Sequence, residues 1–253
     1  MAGRADVRDV PAERQHGMRG GHVDPQSFDS FAGDYARYSD LHDPLGEWLT
    51  EALAELAPAG GRALDAGCGS GRHAHALAAT YDDIFAADLS PALVETARLR
   101  RPHARIRYEA LDLHDIADDH GFDLVLSLAT LHHVPDLDAA LRHLRGLVRP
   151  GGTVILADNV ADVPAAPRWA YVTGAAYELP RDIARLGRRD AWWLYRFRTS
   201  RSWLAHLLSD RYLSRRQFEQ RYGAVFPGAR FTDLGFAAGM VWRNEVGDGD
   251  GDG

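Results

Sequence analysis

The sequence predicts an α/β fold in which helices cover both faces of a doubly wound, parallel sheet. Two observations carry this prediction. Between residues 62 and 158, short apolar runs alternate with helical segments, as in chains that build a parallel sheet through crossover helices. A glycine-rich turn also lies where the first of these runs ends and the first crossover helix begins.

Five strands and four helices are predicted in this core. We place the strands at 62–66, 83–88, 104–109, 122–128 and 152–158. We place the helices at 71–79, at 91–100, shortly after Leu113, and at 136–147. The Arg-Pro-Gly-Gly segment at 149–152 is expected to end the last helix, because proline and glycine are poor helix formers. Two further strand candidates follow late in the chain, at 229–234 and 237–243.

Two amphipathic helices are predicted before the sheet. Aromatic residues recur at spacings of three and four from Phe28 to Tyr38, and apolar residues repeat the pattern from Leu45 to Leu56. We expect a single domain at 27–246. The tails at 1–26 and 247–253 have no apolar periodicity and are predicted to be disordered.

Composition excludes several classes of protein. Apolar residues make up 45% and charged residues 26%, which are values typical of a globular chain. No apolar run reaches the roughly 18 residues that a membrane span needs, so we expect no membrane partner. The single cysteine cannot form an internal disulfide, which favours a cytoplasmic location. All 29 basic residues are arginine, which excludes mechanisms that need a lysine.

Residues 166–222 differ in charge from the rest of the chain. Twelve arginines and five acidic residues give this stretch a charge of +7, although the whole chain carries −7. Aromatic residues interleave with the arginines, which is compatible with a nucleic-acid groove or with a helical cap at about 162–222 over a substrate pocket. We favour the cap, because the net charge argues against a nucleic-acid binder.

The strongest local signal is the segment Asp-Ala-Gly-Cys-Gly-Ser-Gly at 65–71. Glycines at this point allow a sharp reversal and let a ligand approach backbone N–H groups near a helix N-terminus. A dinucleotide fingerprint would need Gly or Ala after Gly71, where this chain has Arg72. A pyrophosphate ligand is therefore disfavoured.

Acidic residues follow the next two strands. Asp88 ends the second strand, where a carboxylate can accept hydrogen bonds from ribose hydroxyls. Asp112 follows the third strand and has two possible roles. It either meets the exocyclic amine of an adenine, beside Leu113, or caps the turn that begins there.

Six segments, taken together and in this order, resemble the small-molecule members of the class I S-adenosylmethionine-dependent methyltransferases. They are DAGCGSG at 65–71, DLS at 88–90, DL at 112–113, FDLVL at 122–126, LHHVPD at 131–136 and LVRPGG at 147–152. The resemblance implies a Rossmann-like sheet of seven strands in the order 3-2-1-4-5-7-6, with the last-inserted strand antiparallel. It also implies in-line transfer of a methyl group from S-adenosylmethionine to an oxygen, nitrogen or carbon atom of a small molecule.

The same resemblance assigns roles to individual residues. The cofactor-binding residues are expected to be Tyr38, Asp65, Gly67, Cys68, Gly69, Asp88, Leu89, Asp112, Leu113 and Ala129. The substrate-binding residues are expected to be Tyr35 and Asn159, together with Trp169 and Tyr195 of the aromatic stretch that we interpret as a cap. Tyr35 and Tyr38 match aromatic positions of a helix that closes over the cofactor in related enzymes.

His132 and His133 are the candidate catalytic residues. They follow the fourth strand at the carboxyl edge of the sheet, where open α/β folds place their ligands. A histidine can act as a general base if the acceptor is a hydroxyl or an acidic carbon. The alternative is that one histidine packs at the helix start while the other lines the cofactor pocket without exchanging protons.

Asp158 and Asn159 follow the fifth strand and resemble the magnesium-binding segment of catechol-type O-methyltransferases. Those enzymes carry an acidic residue just after the fourth strand, where this chain has Ala129 and Thr130. We therefore expect no metal and a capping role for the pair.

Two other functions stay open: a nucleic-acid methyltransferase, and a protein that binds S-adenosylmethionine without transferring its methyl group.

Overall fold

The fold is described by a computed structural model over residues 28–56, 59–162 and 166–245. The tails predicted to be disordered, at 1–26 and 247–253, lie outside these residues. Within them, no helix combines the length and the apolar character that a bilayer crossing requires.

In the described part of the chain, the strands form one sheet of seven in the order β3-β2-β1-β4-β5-β7-β6, which confirms the expected order. The strands are β1 (Arg62–Ala66), β2 (Asp83–Asp88), β3 (Ile106–Ala110), β4 (Phe122–Leu128), β5 (Val148–Asn159), β6 (Arg230–Asp233) and β7 (Ala237–Arg243). Strands β1 to β5 are parallel, and β7 runs antiparallel to both β5 and β6. The expected antiparallel insertion of the last strand is therefore confirmed.

Helices lie before the sheet, between its strands and after β5. They are α1 (Ala32–Leu41), α2 (Gly46–Leu56), α3 (Arg72–Leu77), α4 (Pro91–Arg100), α5 (Leu137–Leu147), α6 (Arg168–Arg198), α7 (Arg201–Ser209) and α8 (Arg215–Val225). The starts of α4 and α5 have a clear local cause. The side chains of Ser90 and Asp136 accept hydrogen bonds from the backbone N–H groups of Leu93 and Ala139, as N-caps do.

The two faces of the sheet build two apolar cores. Because side chains alternate along a strand, Leu64 and Val125 belong to the core beneath α5 and α8, whereas Ala63 and Leu124 belong to the core beneath α3 and α4. All four of these side chains are fully buried. This double coverage leaves the carboxyl ends of the parallel strands open for ligands.

The start of β5 differs from the prediction. The sequence placed the strand at 152–158 and predicted that the Arg-Pro-Gly-Gly segment only ends the preceding helix, but β5 already begins at Val148. Val148 pairs with Phe122, and the register then shifts before Leu124 pairs with Thr153. The irregularity lets proline and glycine lie within the strand, so the segment is a bulged strand entry.

The segment predicted as a cap divides into two parts. Helix α6 runs for 31 residues, with a kink at Gly187, and together with α7 it packs against α1. Arg37 of α1 forms an ion pair of 2.8 Å with Asp190 of α6. Helix α8 instead packs beside α5, where Phe218 and Tyr222 are buried in the sheet core.

Candidate functional site

Two adjoining cavities lie at the carboxyl edge of the sheet. Their volumes are about 470 and 250 Å³, and we call them the larger and the smaller cavity. Both are lined by Phe28, Tyr35, Gly67, Gly69, Leu128, Ala129 and His133. The loops after β1 and β4 therefore form the boundary between the two spaces.

Two glycines of the loop after β1 have different roles: one allows close packing, and the other leaves the backbone accessible. Gly67 has φ +80°, and a Cβ there would lie 2.2 Å from the side chain of Thr130. Gly69 has φ +52°, but a Cβ there would meet only the Tyr35 ring, at 3.7 Å. Gly67 is thus required by the close approach of Thr130, while Gly69 leaves its backbone open to both cavities.

Asp88 fixes this loop to the end of β2. Its Oδ2 accepts a hydrogen bond of 2.8 Å from the Gly69 N–H, and its Oδ1 accepts one of 2.9 Å from the Ser90 N–H. Burial raises the pKa of Asp88. Each carboxylate oxygen has a second lone pair, so Asp88 can still accept a hydrogen bond from a ligand in the larger cavity.

Asp65 is the most deeply buried acidic residue of the predicted site. Only 2% of it is exposed, and its Oδ2 has no hydrogen-bond partner among the described residues. Burial raises its pKa to about 6, although the neighbouring His73 acts in the opposite direction. A buried carboxylate with an unsatisfied oxygen next to an open loop fits a cationic group, such as the ammonium of an amino acid.

The far end of the larger cavity carries the third acidic residue. Asp112 and Leu113 line this end together with Leu89, which is 72% exposed. The Oδ1 atom of Asp112 accepts the N–H of His114 at 2.9 Å, so the capping role considered from the sequence is present. Both oxygens of the Asp112 carboxylate keep a free lone pair, so the capping role does not prevent recognition of a base.

The predicted cofactor residues fall in three places. Gly67, Gly69, Asp88, Leu89, Asp112, Leu113 and Ala129 line the larger cavity, whereas Tyr38 and Cys68 line only the smaller one. Asp65 belongs to the wall of neither cavity. Ala129 stands out, because it is a non-glycine residue with φ +50° at the boundary of the two spaces.

His132 is held by Asp158 on the wall of the smaller cavity. The Nδ1 atom of His132 contacts a carboxylate oxygen of Asp158, and both side chains are almost completely buried. Burial lowers the pKa of His132, but the Asp158 carboxylate outweighs it, so the net pKa is above the usual value. The contact arises because β4 and β5 are neighbours in the sheet. His132 follows the end of β4, and Asp158 lies at the end of β5.

His133 lies on the wall of both cavities and has a different environment. Burial lowers its pKa to about 2, and the neighbouring imidazoles of His132 and His206 act in the same direction. Its ring meets the ring of Phe28 edge to face, with 5.7 Å between the centres. His133 is therefore a neutral imidazole at ordinary pH.

Three residues of the smaller cavity were missed by sequence reasoning: His206, Asp210 and Tyr212. The Tyr212 hydroxyl donates a hydrogen bond of 2.5 Å to Asp210, whose side chain is only 1% exposed. The one available signal was the spacing of four between His206 and Asp210 at the end of a helix. That spacing is common on surfaces and did not single them out.

The structure does not bring Trp169 and Tyr195 to either cavity, in contrast to the expectation that they bind substrate. Trp169 is 68% exposed at the start of α6, and the Tyr195 ring stacks on Trp192 with 5.4 Å between the centres. Phe197 and Trp203 of the cap turn inward, and Trp203 lines the smaller cavity whereas Phe197 does not. Tyr35 and Asn159 line the smaller cavity, and their contact with a substrate stays a prediction.

Comparison with known proteins finds similarity to methyltransferases. Residues 64–156 match a family described as a methyltransferase domain. A ubiquinone biosynthesis O-methyltransferase of Xanthomonas axonopodis pv. citri is 38% identical over 142 residues, which are 54% of this chain and 56% of that protein. The corresponding protein of Xanthomonas oryzae pv. oryzae is 37% identical over a region of the same length. The chain thus spans about half the length of the curated relatives it matches.

Solved structures share the fold at low sequence identity. An S-adenosylmethionine-dependent methyltransferase of Mesorhizobium loti has a TM-score of 0.56 and 19% identity, covering 79% of this chain and 98% of its own. Another, from Aquifex aeolicus, has a TM-score of 0.53 and 15% identity, covering 88% of this chain and 99% of its own. The resemblance found in the sequence is therefore supported at residues 64–156 by the match to a methyltransferase domain, and the chain shares the fold of these solved methyltransferases.

Proposed function

We propose that this protein binds S-adenosylmethionine in the larger cavity and transfers its methyl group to a small molecule in the smaller one. The observation that carries the proposal is the boundary between the cavities, where the Gly69 backbone and Ala129 face both spaces. When bound, the cofactor supplies a methyl group on a positively charged sulfur, which an acceptor atom attacks. A shared boundary is what such a transfer needs, because donor and acceptor must meet at about 3 to 3.5 Å.

The residues of this chain fit the cofactor at both of its ends. The unsatisfied oxygen of Asp65 suits an ammonium group near the loop, and Asp88 suits a pair of hydroxyls at the end of β2. The open backbone at Gly69 lets a ligand approach without meeting a side chain. We propose these as the binding contacts, with Leu89, Asp112 and Leu113 around the base.

The smaller cavity suits an acceptor with an aromatic or otherwise apolar body. Phe28, Tyr35, Trp203 and Phe236 contribute rings to its wall, which helps to exclude water from the transfer. His132, His133 and Asn159 supply polar groups on the same wall. We propose that the two histidines act on the atom that receives the methyl group, with His132 oriented by Asp158.

The contacts of the cap support a small-molecule acceptor over a nucleic acid. Several arginines of residues 166–222 are paired with acids, including Arg198 with Asp182 at 2.7 Å and Arg221 with Asp138 at 2.9 Å. Phe197 is buried against α1, and Trp203 is only 8% exposed and lines the smaller cavity, so the two rings form no open surface for stacking bases. Within the described residues, no arginine of this stretch lines either cavity.

Two measurements test the proposal in sequence. Calorimetry should show binding of S-adenosylmethionine by the full chain, and the Asp88→Asn variant should bind it more weakly. Incubation with methyl-labelled cofactor and metabolite extracts should then transfer label to a small molecule. Hydroxyl acceptors are the first class to try, since the Xanthomonas relatives are named as O-methyltransferases.

The alternatives have distinct outcomes in the same assays. Label recovered in RNA or DNA, with binding that falls steeply as salt rises, would favour a nucleic-acid methyltransferase. Cofactor binding without label transfer to any acceptor class would favour a protein that binds S-adenosylmethionine without using its methyl group. No cofactor binding at all would refute the proposal.

A further inference from the structure

The wall of the smaller cavity holds three side chains that can ligate one metal ion: His132, His133 and Asp210. One ligand atom from each lies within 4.8 Å of the others. We propose that this His-His-Asp cluster binds a divalent transition metal ion, of the zinc or ferrous iron class. The proposed metal binding depends only on the geometry of the cluster. The role of the metal in catalysis rests on the proposed methyl transfer.

The spacing of the ligand atoms is close to what a metal requires. The Nδ1 atom of His133 lies 3.9 Å from the Oδ1 atom of Asp210. Bonds of about 2.0 to 2.2 Å in a tetrahedral site place neighbouring ligand atoms roughly 3.3 to 3.6 Å apart. A contraction of about half an ångström would therefore bring this pair into coordination distance.

His206 lies beside the same carboxylate. Its Nε2 atom lies 3.8 Å from the Oδ1 atom of Asp210, and its ring centre lies 5.2 Å from that of His133. Helix α7 thus places an imidazole of the cap next to the cluster. His132, His133 and Asp210 are therefore the proposed ligands, and His206 lies beside the carboxylate of one of them.

The surroundings of His132 match those of a metal-bound histidine. Its Nδ1 atom is engaged by Asp158, which leaves Nε2 as the ligating atom. Metal-bound histidines commonly donate their second ring N–H to a carboxylate, which fixes the tautomer and the ring orientation. Asp210 is held in a comparable way by the hydrogen bond from the Tyr212 hydroxyl.

The charge of this wall also favours a cation. The side chains of Asp158 and Asp210 are 6% and 1% exposed, and buried carboxylates are normally paired or bound to metals. The chain has no lysine, and the arginine found among the residues lining the smaller cavity, Arg72, pairs with Asp43 at 3.0 Å. Asp158 already contacts His132, so the carboxylate that would bind the ion directly is that of Asp210.

The donor set points to a transition metal and not to magnesium. Imidazole nitrogens suit zinc, iron and copper, whereas magnesium prefers oxygen ligands. The cluster also differs from the Asp158 and Asn159 pair considered from the sequence. In the cluster, Asp158 is not a ligand but contacts Nδ1 of His132. An ion at this place would act as a Lewis acid toward an oxygen acceptor in the smaller cavity.

Cobalt binding to the chelator-stripped full chain tests the site directly. We expect one equivalent of Co²⁺ to bind and to produce visible absorption bands typical of a protein-bound ion with nitrogen ligands. Asp210→Asn and His133→Gln should each weaken Co²⁺ binding at least tenfold. Asp158→Asn, which removes the partner of His132, should weaken it about 10- to 100-fold. His75→Gln, at an exposed histidine of α3, is the matched control and should bind as the unchanged chain does.

The outcomes of these measurements distinguish a failure of the metal site from a failure of the proposed function. Absence of the bands, or equal binding by Asp210→Asn and His75→Gln, would overturn the metal site. Calorimetry with S-adenosylmethionine on the same samples shows whether each variant is folded and whether the cofactor site is intact. Loss of Co²⁺ binding in a ligand variant that still binds the cofactor supports the metal site. A failure of cofactor binding in the unchanged chain would refute the proposed function alone.

Discussion

The Gly69 amide donates a hydrogen bond of 2.8 Å to the Asp88 carboxylate, which joins the loop after β1 to the end of β2. The same carboxylate accepts the Ser90 N–H at 2.9 Å, one residue before α4 begins. A single side chain therefore fixes the two loops that form the floor of the larger cavity. Because Asp88 also lines that cavity, support of the loop and contact with the cofactor depend on one residue.

Replacement of Asp88 should weaken cofactor binding. Asp88→Asn removes the charge that accepts hydrogen bonds from the loop and, by our proposal, from the ribose. Loss of hydrogen bonds to a charged group costs about 1.5 to 3 kcal/mol, which corresponds to a rise of roughly 10- to 150-fold in Kd. Titration calorimetry with S-adenosylmethionine measures this change. Asp83→Asn, at the exposed start of the same strand, is the control, and equal affinity in both variants would remove Asp88 from the site.

Cofactor binding should depend on pH through Asp65. Burial raises its pKa to about 6, so in the free protein this carboxyl group becomes protonated as the pH falls through 6. A neutral carboxyl group cannot balance the ammonium of the cofactor. We therefore expect the affinity to fall by up to about tenfold per pH unit below pH 6.

The Asp65→Asn variant checks the origin of this dependence. It lacks the titrating group, so its weaker binding should vary little between pH 5 and pH 7. Calorimetry at several pH values on both proteins gives the two slopes. Identical slopes would assign the pH dependence to another group.

Gly67→Ala should destabilise the fold more than an equivalent change elsewhere. Both Gly67 and Gly228 have φ near +80°, where an alanine costs about 1 to 2 kcal/mol. At Gly67 the new Cβ would also lie 2.2 Å from Thr130, whereas nothing lies within 4 Å at Gly228. We expect Gly67→Ala to lose a further 1 to 3 kcal/mol or so by overpacking. Urea unfolding of the two variants measures the difference, and equal losses would mean that Thr130 moves aside freely.

The sequence was informative where structure depends on local pattern. The bounds of β1, β2, β4, β7 and α4 follow from the apolar runs and the helical periodicity, whereas the order of the sheet was implied by the family resemblance. The early start of β5 could not be predicted from local pattern, because it depends on pairing between Val148 and Phe122. A strand entry that contains proline and glycine is only visible once its neighbour is known.

The candidate site shows the same division. His132 and Asp158 were each singled out from the sequence, but their contact depends on the adjacency of β4 and β5. Tyr195 and Trp203 both belong to the aromatic stretch, and the direction in which α6 and α7 pack decides that Trp203 faces the cavity. No single-sequence pattern carries that information. The cytoplasmic location and the catalytic roles of the two histidines stay predictions.

His42 should make stability depend on pH. It follows α1 and lies 3.5 Å from Arg198 of the cap, and its ring centre is 5.3 Å from that of Tyr38. Burial lowers its pKa to about 4, and Arg198 and Arg185 act in the same direction, against the weaker opposing charges of Asp182 and Asp43. The unfolded chain, with an ordinary pKa near 6.5, therefore binds a proton that the folded chain does not.

This difference destabilises the fold as the pH falls from about 6.5 towards 4. The loss attributable to His42 should reach about 1 to 3 kcal/mol over that interval. His42→Gln removes the titration, so the stability of the variant should fall less than that of the unchanged chain between pH 7 and pH 5. Urea unfolding at both pH values gives the comparison, with His75→Gln as the exposed-histidine control. If the His42→Gln and His75→Gln curves shift equally, His42 does not link the contact between α1 and the cap to pH.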